Sequence, residues 1–280
     1  MPRKTVLDLR KMKAGSPPQK IAMVTAYDAT MARLVDSADV DMVLVGDSLG
    51  MVIQGHADTL SVTLDDMIYH GRCVNRGLNQ AHLTLDMPFM SYQVSPSQAL
   101  RSAGRLVKEA GAQSVKLEGG ARSAPAIEAI VTAGIPVVGH VGLTPQSVHA
   151  TGGWRVQGRG AEAAERLRQD ALAVQDAGAF CVVLEMVPAE LAAELSAILE
   201  IPTIGIGAGP WCDGQVLVCN DLLGFDTRFQ PRFVKRFAEL EAPMIEAFRG
   251  YVSEVRAGSF PTDAHSFHDG RAQPRIARLY

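Results

Sequence analysis

Met42-Val43-Leu44-Val45-Gly46-Asp47-Ser48-Leu49-Gly50 is the stretch around which the chain is organised. Four apolar residues in a row, with no polar alternation, read as a strand covered on both faces. Gly46 lets the backbone turn, and a carboxylate then stands at the strand's end with the Ser48 hydroxyl beside it. A carboxylate there is costly without a partner. A metal ion, a substrate or the amides of a following helix can each be that partner.

The same phrase recurs in both directions. Ile21 to Ala26 reads as a first strand, ending at Tyr27-Asp28, and His82 to Leu85 as a third, ending at Asp86. Gln113 to Leu117 is a fourth, carrying Lys116 and followed by Glu118-Gly119-Gly120. Pro136 to Gly139 is a fifth, ending at His140, and Phe180 to Leu184 a sixth, ending at Glu185. Thr203 to Gly207 and Gln215 to Val218 complete eight. Helical sequence separates them. Thr63, with Asp65 and Asp66 behind it, is a good N-cap. Ser95-Pro96 starts another helix, and Gly111 suits its C-terminal cap. Further helices are expected around 125–133, 162–177, 188–199 and 232–256. Leu143 to Gly160 is glycine-rich and polar, and an unstructured connection of that length is commonly a lid or binding loop.

Eight strands alternating with helices predict an α/β fold of the (β/α)8 TIM-barrel class, with the site at the C-terminal strand ends. A doubly wound open sheet is the alternative, disfavoured by the strand count and by the lack of a GxGxxG turn after the first strand. No linker divides the chain, so residues 1–258 are expected to form a single barrel domain, with 259–280 as a C-terminal tail.

At 280 residues and 47% hydrophobic, the chain can bury a large core. Its 27 basic and 30 acidic residues leave a net charge of −3 without a basic patch, so neither nucleic acid nor an anionic membrane is an expected partner. Cys73, Cys181, Cys212 and Cys219 form no CxxC pair. They suit a reducing compartment. The charged start of the chain lacks the apolar core of a signal peptide, and no apolar run is long enough for a membrane helix. A cytoplasmic location is expected.

Asp47, Asp86, Glu118, His140 and Glu185 fall at or just after the ends of strands two to six. In a barrel these ends converge, so four carboxylates, an imidazole and Lys116 would share a small volume. Carboxylates so placed repel one another unless a cation intervenes, and an all-oxygen donor set favours a hard ion such as Mg²⁺. Singly, each residue has a plainer reading. Asp47 is as readily a cap, Asp86 a turn former, Glu118 a solvated loop charge and His140 a satisfied half-buried histidine. Glu185, after five apolar residues, is the hardest to dismiss. Gly205, Gly207 and Gly209 can form an anion nest or simply permit close packing. Tyr27-Asp28 can orient neighbours or cap a helix.

Several of these segments resemble ketopantoate hydroxymethyltransferase: Gly46 to Gly50, Lys116 to Gly120, Gly139 to Gln146, Val156 to Arg159, Leu184 to Pro188 and Ile204 to Gly209. The similarity runs from about residue 5 to 250, and leaves the chain after Gly258 outside it. Asn220 departs from the histidine many members carry. The resemblance implies a fold similar to the phosphoenolpyruvate mutase/isocitrate lyase barrels and a cytoplasmic enzyme of pantothenate biosynthesis. It would transfer a hydroxymethyl group from 5,10-methylenetetrahydrofolate, as co-substrate, to 3-methyl-2-oxobutanoate, forming 2-dehydropantoate through a Mg²⁺-stabilised enolate. It further implies metal binding by Asp47 and Asp86 with Glu118 in support. Substrate contacts would come from Asp47, Ser48, Asp86, Lys116 and His140, with Glu185 as catalytic base. The partners implied are small-molecule substrates and other copies of the chain, in a homodecamer. A lyase or mutase of the related barrels is the rival reading, but no cysteine here lies in a KKCGH-type loop. A non-catalytic relative would have no need of a base opposite its metal.

Overall fold

The eight apolar runs become eight parallel strands that close on themselves: β1 (Ile21–Thr25), β2 (Met42–Val45), β3 (His82–Asp86), β4 (Ser114–Glu118), β5 (Val137–Gly142), β6 (Cys181–Glu185), β7 (Thr203–Ile206) and β8 (Gly214–Leu217). They pair in chain order, and β8 returns to β1 through Met23 opposite Val216. This computed structural model describes residues 2–226 and 230–269. The connecting helices are α1 (Val6–Ala14), α2 (Ala29–Asp36), α3 (Leu49–Val52), α4 (Leu64–Gly77), α5 (Pro96–Arg105), α6 (Ala124–Thr132), α7 (Val148–Thr151), α8 (Ala161–Asp176), α9 (Ala189–Ile198), α10 (Cys219–Leu223) and α11 (Glu241–Ala257). Among the described residues, no helix is long and apolar enough to cross a membrane.

Alternation along each strand divides the core in two. Val43, Val45, Leu83, Leu85, Val115 and Leu117 face outward and pack under the helices. Ile21, Met23, Met42, Leu44, Val138, Val183, Ile204 and Val216 fill the barrel interior together with Leu9 of α1. Helix α1 closes the N-terminal end of the barrel. Leu9 is fully buried there, Lys13 pairs with Asp213 at 2.8 Å, and Lys4 pairs with Asp41 just before β2.

Local signals set the helix limits. Thr63 and Asp66 exchange side-chain and backbone bonds in a capping box, and Ser95 accepts from the amide of Gln98 at 3.2 Å. Helix α5 relaxes into one π-helical turn, Leu106–Ala110, which ends at Gly111 in the left-handed conformation (φ 77°). A side chain there would also strike Asn75.

Some expectations need correction. Strand β5 runs to Gly142, because Gly142 pairs with Glu185, so His140 lies within the strand and not beyond it. Glu118 is likewise the last residue of its strand and not the first beyond it, while β3 ends at Asp86 as expected. The connection from Leu143 to Gly160 is not structureless: it holds a 3₁₀ turn at Pro145–Ser147 and then α7. The terminal helix begins at Glu241 instead of Arg232. Backbone amides of Phe237, Leu240 and Glu241 are bonded to carbonyls of Leu222, Leu223 and Gly224, which folds this segment back on α10. The two short helices α3 and α10 have no counterpart in the sequence reading. Of the proposed tail, residues 270–280 lie outside the described residues.

Candidate active site at the C-terminal ends of β2 to β6

Strand register makes the first pairings. Asp86 lies opposite Lys116 across β3 and β4, and Glu118 opposite His140 across β4 and β5. Side chains two apart share a face, so Lys116 and Glu118 both point into the barrel. Lys116 Nζ stands 2.7 Å from Asp86 Oδ1, and His140 Nδ1 stands 3.4 Å from Lys116 Nζ and 3.5 Å from Glu118 Oε1. The other ring nitrogen, Nε2, is 3.2 Å from Glu185 Oε2. Asp47 enters from β2: its backbone N–H donates to Asp86 Oδ2 at 3.1 Å. Gly46 is needed for this approach, since a Cβ there would lie 2.7 Å from Ser48 Oγ and 3.4 Å from Asp86 Oδ2. All six sequence-selected groups thus meet at one end of the barrel. Asp47, Asp86, Lys116, Glu118 and His140 are buried, whereas the Glu185 side chain keeps 14% of its surface open.

Burial and mutual charge shift these groups. Burial raises Asp47 most, and the neighbouring Asp86 and Glu118 carboxylates raise it further, to about 8. Burial also raises Asp86, against the pull of Lys116. Burial opposes the Lys116 ammonium, but Asp86, Glu118 and Asp47 hold it protonated well above the ordinary lysine range. His140 loses from burial and from Lys116, gains more from Glu118 and Glu185, and is pushed up to about 9. Four carboxylates therefore face two cations, and the cluster resists the ionisation of Asp47 and of Asp86.

That imbalance fits a divalent cation. The donors are carboxylate oxygens, and the buried Asp86 Oδ1 has no well-aligned hydrogen-bond donor, only the Lys116 ammonium beside it. No trio of acidic, histidine or cysteine side chains among the described residues is already drawn into a cage. Mg²⁺ does not require one, since it is commonly held by one or two carboxylates, water and the substrate itself.

The remaining candidates separate cleanly. Ser48 Oγ is 2.8 Å from the hydroxyl of Tyr27, which is buried, while Asp28 caps α2 by accepting from the amide of Met31. Tyr27 therefore orients and Asp28 caps. The Gly205, Gly207 and Gly209 run is closely packed: added side chains would meet Cys212, Phe233 and Ala189 respectively. Trp154 is 49% exposed on the loop after β5. Gln146 and Tyr92, both buried among the carboxylates, carry no signal of a role in the sequence. Gln146 lay within a family-like segment, but nothing in its spacing pointed to Asp47.

Comparison with known proteins agrees with this geometry. The family model described as ketopantoate hydroxymethyltransferase matches residues 3–263, so the likeness reaches a few residues past Gly258, where it was expected to end. The chain is 58% identical over 264 residues to 3-methyl-2-oxobutanoate hydroxymethyltransferase of Pelobacter propionicus, covering 94% of this chain and 97% of that one. It is also 58% identical over 273 residues to the enzyme of the same name from Anaeromyxobacter dehalogenans, covering 95% and 89%. In fold it is similar to 2,3-dimethylmalate lyase, a member of the PEP mutase/isocitrate lyase superfamily, with a TM-score of 0.57, 18% identity and coverage of 97% and 93%. The charged cluster stands at the strand ends where barrel enzymes work, and nearly the whole length matches one set of transferases: the chain belongs to the ketopantoate hydroxymethyltransferase family.

Proposed function

We propose that the cluster transfers a one-carbon unit from 5,10-methylenetetrahydrofolate to C3 of 3-methyl-2-oxobutanoate, with Mg²⁺ as the metal. The observation that carries this reading is the excess of buried carboxylate over cation at the C-terminal end of the barrel, with one further carboxylate, Glu185, left partly open. Asp47 and Asp86 would hold the metal, with Glu118 in support. When bound, a divalent cation supplies positive charge to the carboxylate and keto oxygens of a 2-oxo acid.

The chain's own groups account for the rest. Glu185 is the base that takes the C3 proton, and His140, whose Nε2 stands 3.2 Å from Glu185 Oε2, lies beside that carboxylate as its charge partner. Negative charge then grows on the keto oxygen. Lys116, held protonated by its three acidic neighbours, adds fixed positive charge where that happens. Ser48, oriented by Tyr27, offers a hydroxyl to the substrate's oxygens. The loop from Leu143 to Gly160, with Trp154 and Arg155, would exclude water from the activated carbon donor. A cytoplasmic homo-oligomer, a decamer by family likeness, belongs to the same reading.

Deuterium exchange at C3 of 3-methyl-2-oxobutanoate, followed by NMR, tests it. Wild type is expected to exchange with Mg²⁺ and without folate, and Glu185→Gln to lose roughly 10²–10⁴-fold of that rate while staying folded. A wild type that never exchanges, with metal and folate both supplied, would sink the transferase mechanism.

A further inference from the structure

Gln146 is 4% exposed, and its side chain is saturated with hydrogen bonds. Nε2 donates to Asp47 Oδ2 at 2.8 Å and to the carbonyl of Met87 at 2.9 Å. Oε1 accepts from Tyr92 Oη at 2.8 Å and from Gln93 Nε2 at 3.2 Å. Two donors and two acceptors are all that an amide side chain has, and each has a partner. In addition, the Gln146 backbone N–H donates to Glu118 Oε2 at 3.0 Å. One residue in the loop after β5 thus grips the carboxylate of Asp47 beyond β2, that of Glu118 on β4, and the carbonyl just past β3.

Tyr92 sets which way the amide faces. Its hydroxyl accepts from the Glu118 amide at 3.1 Å, so its own proton is free to go outward, and the shorter of its two acceptor contacts is Gln146 Oε1. With Oε1 held in that direction, the NH₂ end is left facing Asp47. The chemistry of the residue matters as much as its position. A lysine here would neutralise the carboxylates and compete with a cation, while a glutamate would set another negative charge 2.8 Å from Asp47 Oδ2. A neutral donor orients a carboxylate without consuming its charge. It also engages only Oδ2 of Asp47 and leaves Oδ1 to a ligand.

We infer that Gln146, aimed by Tyr92, is a positioning residue that sets the rotation of the Asp47 and Glu118 carboxylates for cation binding. The inference rests on the metal reading given above. Supporting groups of this kind change metal affinity by about 10–100-fold when removed.

The test is Mn²⁺ titration of purified wild type, Gln146→Met and Tyr92→Phe, with free metal read by electron paramagnetic resonance and the melting temperature measured on the metal-free proteins. Gln146→Met keeps the length of the side chain and the backbone N–H to Glu118 but loses all four side-chain bonds. It is expected to bind Mn²⁺ about 10–100-fold more weakly, and Tyr92→Phe to weaken binding in the same direction by less. A folded Gln146→Met that binds within twofold of wild type overturns the inference. Should Gln146→Met not fold, Tyr92→Phe decides: weaker binding supports the assignment and wild-type affinity overturns it. If wild type itself takes up no Mn²⁺, the metal reading and this inference fall together. If wild type binds and the variants match it, only this inference falls.

Discussion

The two ends of the barrel use the same kinds of residue to opposite effect. At the N-terminal end, each charge is answered where it stands. Asp36 accepts from the backbone amides of Asn79, Gln80 and Ala81, and Asp213 takes Lys13 as well as the amide and hydroxyl of Thr203. His82, on the same face of β3 as Asp86, is bonded to Ser114 Oγ at 2.9 Å and to the Lys4 carbonyl at 3.1 Å. At the C-terminal end, four carboxylates share one lysine and one histidine. One end spends its polar groups on holding the fold. The other keeps them short of partners, which is the state a binding site requires.

Removing Lys116 should disturb this contrast most. In Lys116→Met three buried acids lose their common cation, and breaking a buried pair in this way costs about 3–5 kcal/mol. Urea unfolding at neutral pH should show a loss of that size, and a change below about 1 kcal/mol would mean that the cluster is better solvated than its burial implies.

The next effect belongs to the opposite end. Burial lowers His82 from the ordinary histidine value of 6.5 to about 4. The unfolded chain therefore takes up a proton as pH falls through 6.5, before the folded one does, and stability drops until about pH 4. The loss attributable to this group is roughly 3 kcal/mol. The difference in unfolding free energy between wild type and His82→Gln should shrink by that amount from pH 7.5 to 4, and a constant difference would refute the assignment.

Smallest is Asp36→Ala, which strands three backbone donors at the N-terminal end. It should cost about 1–3 kcal/mol in unfolding free energy and leave the C3 exchange rate unchanged. A large fall in exchange would show that the two ends are not independent.

The sequence and the structure part company where contacts are tertiary. Strands buried on both faces are legible because Met42 to Val45 or Cys181 to Leu184 can do little else, and acids at their ends stand out against the apolar background. Thr63 and Ser95 act within a few residues of themselves and read equally well. Gln146 has no such local signature. Its partners Glu118 and Asp47 are 28 and 99 positions away, and an amide in a Thr-Pro-Gln-Ser segment resembles any turn. His140 looked like a strand terminus because Gly139 and Gly142 are poor strand formers. Pairing with β6 carries the strand through them regardless.

The plug formed by α1 has a consequence for the order in which the molecule is completed. Leu9 needs a closed ring of strands to enter, and that ring exists only when β8 has joined β1. Lys13 must likewise wait for Asp213, 200 positions further on. During synthesis α1 emerges before all eight strands yet is among the last elements to dock, and its own apolar face stays exposed while the barrel is made.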